Sequence, residues 1–122
     1  MAHFAELGPQ NQVLRVIAIR DSDMLDSNGI ESEEIGIAYC NEIVDVSEWK
    51  QTSYNGNFRR LYAAIGSVYR DSYDAFMPPP RYRAWTFNET LWDWEPPVPM
   101  PFAIGPWEWD SSNNQWTTED VL

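Results

Sequence analysis

The chain has one cysteine, one histidine, six glycines and only eight basic residues against nineteen acidic ones. Each scarcity removes a class of explanation. A lone Cys40 excludes an intramolecular disulfide and leaves no thiol cluster for a metal, so folding in a reducing cytoplasm is expected. The lone His3 sits near the amino terminus and reads as a surface strand residue, not as the base of a triad. The glycines are scattered, so the sequence offers no phosphate-cradling loop. A formal net charge of −11 with a pI of about 4.2 argues against nucleic acid as a partner, because phosphate contacts need Lys and Arg. It argues equally against an anionic membrane surface. No stretch reaches the roughly 18 apolar residues of a membrane span. Residues 1–7 lack the basic and apolar regions of a secretory signal, so none is expected.

Tryptophan and proline are plentiful instead. Trp85-Thr-Phe87-Asn88 leads to Trp94, and Trp107-Glu-Trp109-Asp110 leads to Trp116 at the same internal spacings. Alternate aromatics, then Asn or Asp, then a short polar stretch and a returning Trp predict two aromatic-faced β-hairpins. Indoles provide no acid, base or nucleophile; they bind or they pack. Eight of the nine prolines fall between Pro78 and Pro106. The run 78–80 predicts an extended polyproline segment, and Pro96-Pro-Val-Pro-Met-Pro101 a second stiff elbow. The organisation expected is therefore a β-rich domain over 1–77, followed by a proline-elbowed arm over 78–122 that reaches along a surface.

Within the first part, strands are predicted over 3–8 and 12–20, joined by Gly8-Pro-Gln-Asn-Gln12. Val13, Arg15, Ile17 and Ile19 should share one face of the second strand, with Leu14, Val16 and Ala18 on the other. Apolar residues on both faces suggest that this strand is the centre of the fold. The spacing of Gly36, Tyr39, Cys40 and Ile43 predicts a helix over 31–44. It would be capped by Asn28 with Glu31, or by Ser32 with Glu33 and Glu34 in the first turn. Gly36 opposes the helix by about 1 kcal/mol, and Ile35, Ile37 and Tyr39 also alternate as a strand would. Residues 45–57 read as extended around Trp49, ending in an Asn55-Gly56 turn signal. Residues 58–69 fit either period and are taken as extended; Asp71-Ser-Tyr-Asp74 reads as a turn. The fold class expected is mainly β (α+β): a small antiparallel sheet with one helix, then Trp-rich hairpins.

No constellation for catalysis, cofactor or metal emerges. Cys40 falls on the apolar helix stripe and reads as a core thiol. Asp21-x-Asp23-x-x-Asp26-x-Asn28-Gly29 resembles a calcium loop, but aligning Gly29 to the turn glycine puts Met24 at the first ligand position and Ile35 at the last. Glu89, Asp93, Glu95, Glu108 and Asp110 lie near aromatics, yet each fits a turn or the solvent face of a hairpin. Charge is blocked: nine acids and no base from Asp21 to Glu48, five arginines against Asp71 and Asp74 from Arg59 to Arg83, and seven acids with no base from Trp85 onward. Such a chain neutralises itself on folding or docks on copies of itself or a neighbour. The candidate interface is Trp85, Trp92, Trp94, Trp107, Trp109 and Trp116, with Arg59, Arg60, Arg81 and Arg83 as anchors.

The run Gln51-Thr-Ser-Tyr-Asn-Gly-Asn-Phe-Arg-Arg-Leu-Tyr-Ala-Ala-Ile-Gly66, with Tyr69, Asp74-Ala-Phe-Met-Pro-Pro79, Trp85-Thr-Phe-Asn-Glu-Thr90 and Trp94-Glu-Pro-Pro-Val-Pro99, resembles a family of small virion-associated proteins of marine and cyanobacterial tailed phages. The opening Met1-Ala-His-Phe-Ala-Glu-Leu7 and Asn28-Gly-Ile-Glu-Ser-Glu-Glu-Ile-Gly-Ile-Ala-Tyr-Cys40 are similar as well, so the resemblance spans essentially the whole chain. Ala64 and Ser67 depart from it, standing where the family pattern has a glycine and an aromatic or similar residue. The resemblance transfers no catalytic residue. It implies a structural part of a phage particle, made in the host cytoplasm and located in the virion. A capsid decoration or cement protein docking in many copies is the reading favoured. Tail, neck or fibre-associated parts, and a virion-surface receptor or glycan-binding module, are its rivals. The partners implied are the major capsid or tail and neck proteins and copies of the chain itself.

Overall fold

A computed structural model describes residues 1–101 and 106–117. The protein is mainly β with a single α-helix among the described residues. It divides into two units, Met1–Pro79 and Pro80–Leu122. Pro79 stays with the first unit, where its Cβ lies 3.6 Å from the position that a Cβ would take at Gly66.

The first unit is built on three antiparallel strands: β1 (Ala2–Leu7), β2 (Val13–Ile19) and β3 (Glu48–Thr52), in the order β2-β1-β3. The centre is therefore β1, not the longer β2. The reason lies in which strand is covered on both faces. From β1, Ala2 and Phe4 join Ile19, Met24, Cys40 and Trp49 in one core, while Ala5 and Leu7 join Val13, Ala63, Tyr69 and Phe76 in a second. The face expected for β2 is also broken. Arg15 pairs with Glu6 but Val13 pairs with Leu7, so a bulge leaves Leu14 as the extra residue. Val13 consequently enters the second core, and Ile17 and Ile19 pack with the first. One inserted residue thus lets a two-residue-period strand serve both layers.

The helix α1 (Glu33–Ile43) starts at Ser32, whose Oγ accepts from the Ile35 N–H at 3.5 Å, with Glu33 and Glu34 in the first turn. The Ser32 cap is the one realised. Gly36 explains its own unfavourable propensity: a Cβ there would lie 2.3 Å from Cζ of Phe4, so the glycine lets the helix approach the sheet. Ahead of α1, a 3-10 turn (Asp21–Met24) buries Met24, and Asp26 Oδ1 accepts from the N–H groups of Asn28 and Ile30 at 2.8 and 3.0 Å. That acidic stretch is a hydrogen-bonded turn.

After β3 the expected turn forms, with the Gly56 N–H donating to the Ser53 carbonyl at 2.9 Å, but no strand returns from it. Of the Asn55-Gly56 pair only the glycine is left-handed, at φ +68°, whereas the hairpin turn needs both. Residues 58–67, expected to be extended, are irregular. Arg59 and Arg60 both take positive φ, 54° and 72°, which ends any strand there. Side chains replace the missing ladder: Thr52 Oγ1 accepts from Ala63 N–H at 2.8 Å, and the buried Ser67 Oγ accepts from Ala64 N–H at 3.1 Å. Three short hairpins complete the described structure: β4 (Val68–Arg70) with β5 (Ala75–Met77), β6 (Thr86–Asn88) with β7 (Asp93–Glu95), and β8 (Glu108–Asp110) with β9 (Gln115–Thr117).

Candidate functional site in the aromatic hairpins

Among the described residues the hairpin motif occurs three times, not twice. Each copy has three-residue strands joined by four residues, the last of them left-handed: Asp74 (φ 46°), Trp92 (φ 55°) and Asn114 (φ 51°). Each pairs two aromatics at its middle rung: Tyr69 with Phe76, Phe87 with Trp94, Trp109 with Trp116. All three pairs stand edge to face with centroids 5.3 Å apart, the geometry favoured by ring quadrupoles. In the second and third copies the turn is opened by a carboxamide or carboxylate. Asn88 Oδ1 accepts from Thr90 and Leu91 N–H groups at 2.8 and 2.9 Å, and Asp110 Oδ1 from Ser112 and Asn113 at 3.0 and 3.3 Å. The first copy has Arg70 at that place and uses Tyr and Phe for indoles, which is why the tryptophan pattern misses it. The seven-residue interval between the paired aromatics was the signal available.

The second and third copies belong to the unit Pro80–Leu122 and pack on one another. Trp85 meets Trp109 edge-on at 5.6 Å and Trp116 at 6.0 Å, and Tyr82 lies 5.1 Å from Trp85. The predicted reaching arm is therefore a compact unit with its own aromatic core. Trp85, Trp92 and Trp109 are each only 8 % exposed. These three are not the exposed rings expected: they pack within the unit, Trp92 against Phe87 at 5.0 Å, and Trp85 and Trp109 show a cleft only the small part of their surface that stays uncovered. Trp94, Trp107 and Trp116 are half-buried.

Around this core lies an open cleft of about 710 Å³, lined by Tyr82, Trp85, Trp107, Trp109 and Trp116 together with Met100, Arg81 and Glu108. A smaller hollow of about 380 Å³ lies between Trp85, Trp116 and the segment carrying Glu95, Pro96, Pro99 and Met100. Here Trp116 Nε1 donates to the Val98 carbonyl at 2.7 Å. The indole nitrogens of Trp85 and Trp109 are buried and have no hydrogen-bond partner among the described residues. A desolvated donor left unmatched typically costs ~1–3 kcal/mol.

The arginines divide. Arg59 is not an external anchor; it holds the first unit together. Its guanidinium binds Glu33 of α1, donating to Oε1 at 3.0 Å and also to Oε2. It further donates to the Gln51 carbonyl of β3 at 2.9 Å and to Asp74 Oδ1 at 2.8 Å. The Tyr69 hydroxyl donates to the same Asp74 oxygen, and the Tyr69 ring lies 5.8 Å from the guanidinium carbon. The pKa values follow. Burial alone would raise Glu33, but the hydrogen bonds from Arg59 and the Gln51 N–H outweigh it and hold it below its usual value. Asp74 is held down by the hydrogen bonds from Tyr69 and Arg59. Burial, then the Asp74 carboxylate, pushes Tyr69 up to about 12. Arg60, Arg81 and Arg83 are exposed, and Arg81 lines the cleft.

Cys40 is fully buried, and burial raises its thiol to about 11. In the folded protein it should resist alkylation at pH 8 and react once denatured; native labelling at the denatured rate would contradict the placement. His3 is a strand residue, as expected, and is half-buried in β1, 5.5 Å from the Tyr54 ring and 5.6 Å from Tyr62. Among the described residues no group of three His, Cys, Asp or Glu side chains is placed to hold a metal, and no helix is long and apolar enough to cross a membrane. No protein-family model matches the chain, and no curated protein or solved structure matches it at a significant level.

Proposed function

We propose that this protein is a non-enzymatic structural component of a tailed-phage particle, a decoration or cement protein that docks in many copies on the capsid. The observation that carries the reading is the aromatic cleft of the second unit. Its lining is indole and phenol rings with one guanidinium, Arg81, and one carboxylate, Glu108. Such a surface suits being covered by a polypeptide, since buried aromatic anchors supply most of the energy of protein interfaces. The resemblance to small virion-associated proteins supplies the setting.

Quantitative mass spectrometry of purified particles tests it. The expected result is a copy number comparable to that of the major capsid protein. Six or twelve copies would overturn decoration in favour of a neck or tail position. Absence from particles would overturn the structural role altogether.

A further inference from the structure

We propose that the open outer edge of β2 pairs with β2 of a second copy of this chain, antiparallel and about a two-fold axis near Val16, so that two three-stranded sheets become one of six strands. This goes beyond the reading of the chain as a particle component: it names a contact between copies and does not depend on what else they touch.

The sheet β2-β1-β3 has two outer edges, and they differ. Along β3 the Gln51 N–H donates to Glu33 Oε2 at 2.8 Å, and the Gln51 carbonyl accepts from Arg59 at 2.9 Å, so side chains close that edge. Along β2 only the first residue is closed. The Val13 N–H donates to the Ser67 carbonyl at 2.7 Å, and the Val13 carbonyl accepts from the Gly66 N–H at 3.0 Å. From Leu14 to Ile19 the backbone pairs with β1 and has no other hydrogen-bonded partner among the described residues. An edge strand turns alternate N–H and C=O groups outward, and a bare run of them is a template for another strand. The usual guards are missing. The run holds no proline and no lysine, and its one charge, Arg15, is bound by Glu6 at 2.7 Å and by Asp45 at 3.0 Å. The bulge at Leu14 guards only the end already met by Gly66 and Ser67.

The same run selects its occupant. Its single charge is already paired, so neither an acidic nor a basic strand gains from it; a neutral, β-branched strand fits. Among the strands of at least five residues, β1 is enclosed on both sides and β3 carries Glu48 and Lys50, which leaves β2 itself with that character. No acid lies between Leu7 and Arg20, so two copies meet here without the repulsion that a net charge of −11 imposes elsewhere. Across an axis near Val16, the two exposed side chains of the strand, Leu14 and Ala18, come opposite each other and are covered.

Sedimentation of the full chain from about 10 µM to about 1 mM should show a monomer–dimer equilibrium. Over the same range, amide exchange should slow by about tenfold or more at alternate residues of the run 14–19 and stay unchanged in β3. Leu14→Lys and Ala18→Lys each replace an exposed side chain, so circular dichroism should match the parent while the dimer weakens by about tenfold or more. Leu14→Lys combined with Ala18→Glu sets opposite charges across the antiparallel pair and should restore the dimer. A chain that stays monomeric throughout, a dimer without slowed exchange in the run, or a dimer indifferent to both lysines would overturn the proposal. A paired variant as weak as the single ones would overturn the antiparallel arrangement. If the lysine variants fail to fold, exchange in the parent protein decides. None of these results bears on the number of copies on a particle, so the two readings fail separately.

Discussion

Replacing Arg59 by methionine should lower the stability of the protein by about 2–4 kcal/mol at pH 7. Breaking a buried ion pair by removing one partner typically costs ~3–5 kcal/mol. The Arg59 side chain is 13 % exposed and Glu33 29 %, but Asp74 is 64 % exposed, so water takes back part of the loss. The residue joins α1, β3 and the first hairpin, so its removal leaves Glu33 half-buried without its cation and frees the Gln51 carbonyl. The dependence on pH carries a definite sign. Glu33 and Asp74 both have folded pKa values below their ordinary 4.5 and 3.8. Their contribution is present above those values and disappears as pH falls through the depressed ones. The parent protein should therefore lose stability steeply below about pH 4.5, and the Arg59→Met protein should lose much less there. Chemical denaturation at pH 7, 5 and 3 measures both quantities. A loss under about 1 kcal/mol at pH 7 is what an exposed pair would give; that value, or parallel pH profiles, would remove Arg59 from the centre of the first unit.

The second large effect is expected from Gly36→Ala, and it runs against helix propensity. In an open helix the change would stabilise by about 1 kcal/mol. Here the new methyl would stand 2.3 Å from Cζ of Phe4 and 3.0 and 3.1 Å from the neighbouring ring carbons. Phe4 is completely buried in the core with Ile19, Met24, Cys40 and Trp49, so its ring has no room to swing aside. Forcing extra volume into a packed core costs ~1–3 kcal/mol, occasionally more. We expect a net loss of about 2 kcal/mol. In a double-mutant cycle with Phe4→Leu the two changes should couple favourably, because each relieves the other. A stabilised Gly36→Ala protein would mean that the helix and sheet are not as close as described.

Much of the local structure is legible in the residues themselves. The Ser32 cap with its two following glutamates, the turn at 71–74 and the two tryptophan hairpins depend on neighbours a few positions apart, and each appears where the pattern put it. Sequence reasoning stumbled where distant segments compete. β2 is the longest and most β-branched strand, yet β1 became the centre because two cores close over it. The Asn55-Gly56 turn appears, but the extended segment expected after it does not, because β3 already pairs with β1 and the following loop is tied down by Thr52 and Ser67. Arg59 and Arg60 look alike in the sequence. Only the approach of Glu33 and Asp74, 26 and 15 residues away, makes one of them a structural hub.

The candidate site shows the same division. Composition alone determined that the carboxy-terminal third would be aromatic, acidic and proline-stiffened, and that its chemistry would be contact and donation by indoles. Spacing determined that those indoles would sit on hairpins. Which rings fill the interior, which line a cleft, and which N–H groups are left without an acceptor were decided by how the hairpins pack. Burial and hydrogen-bond satisfaction are properties of a surrounding that residues far apart in the chain create together, and no local pattern contains that surrounding.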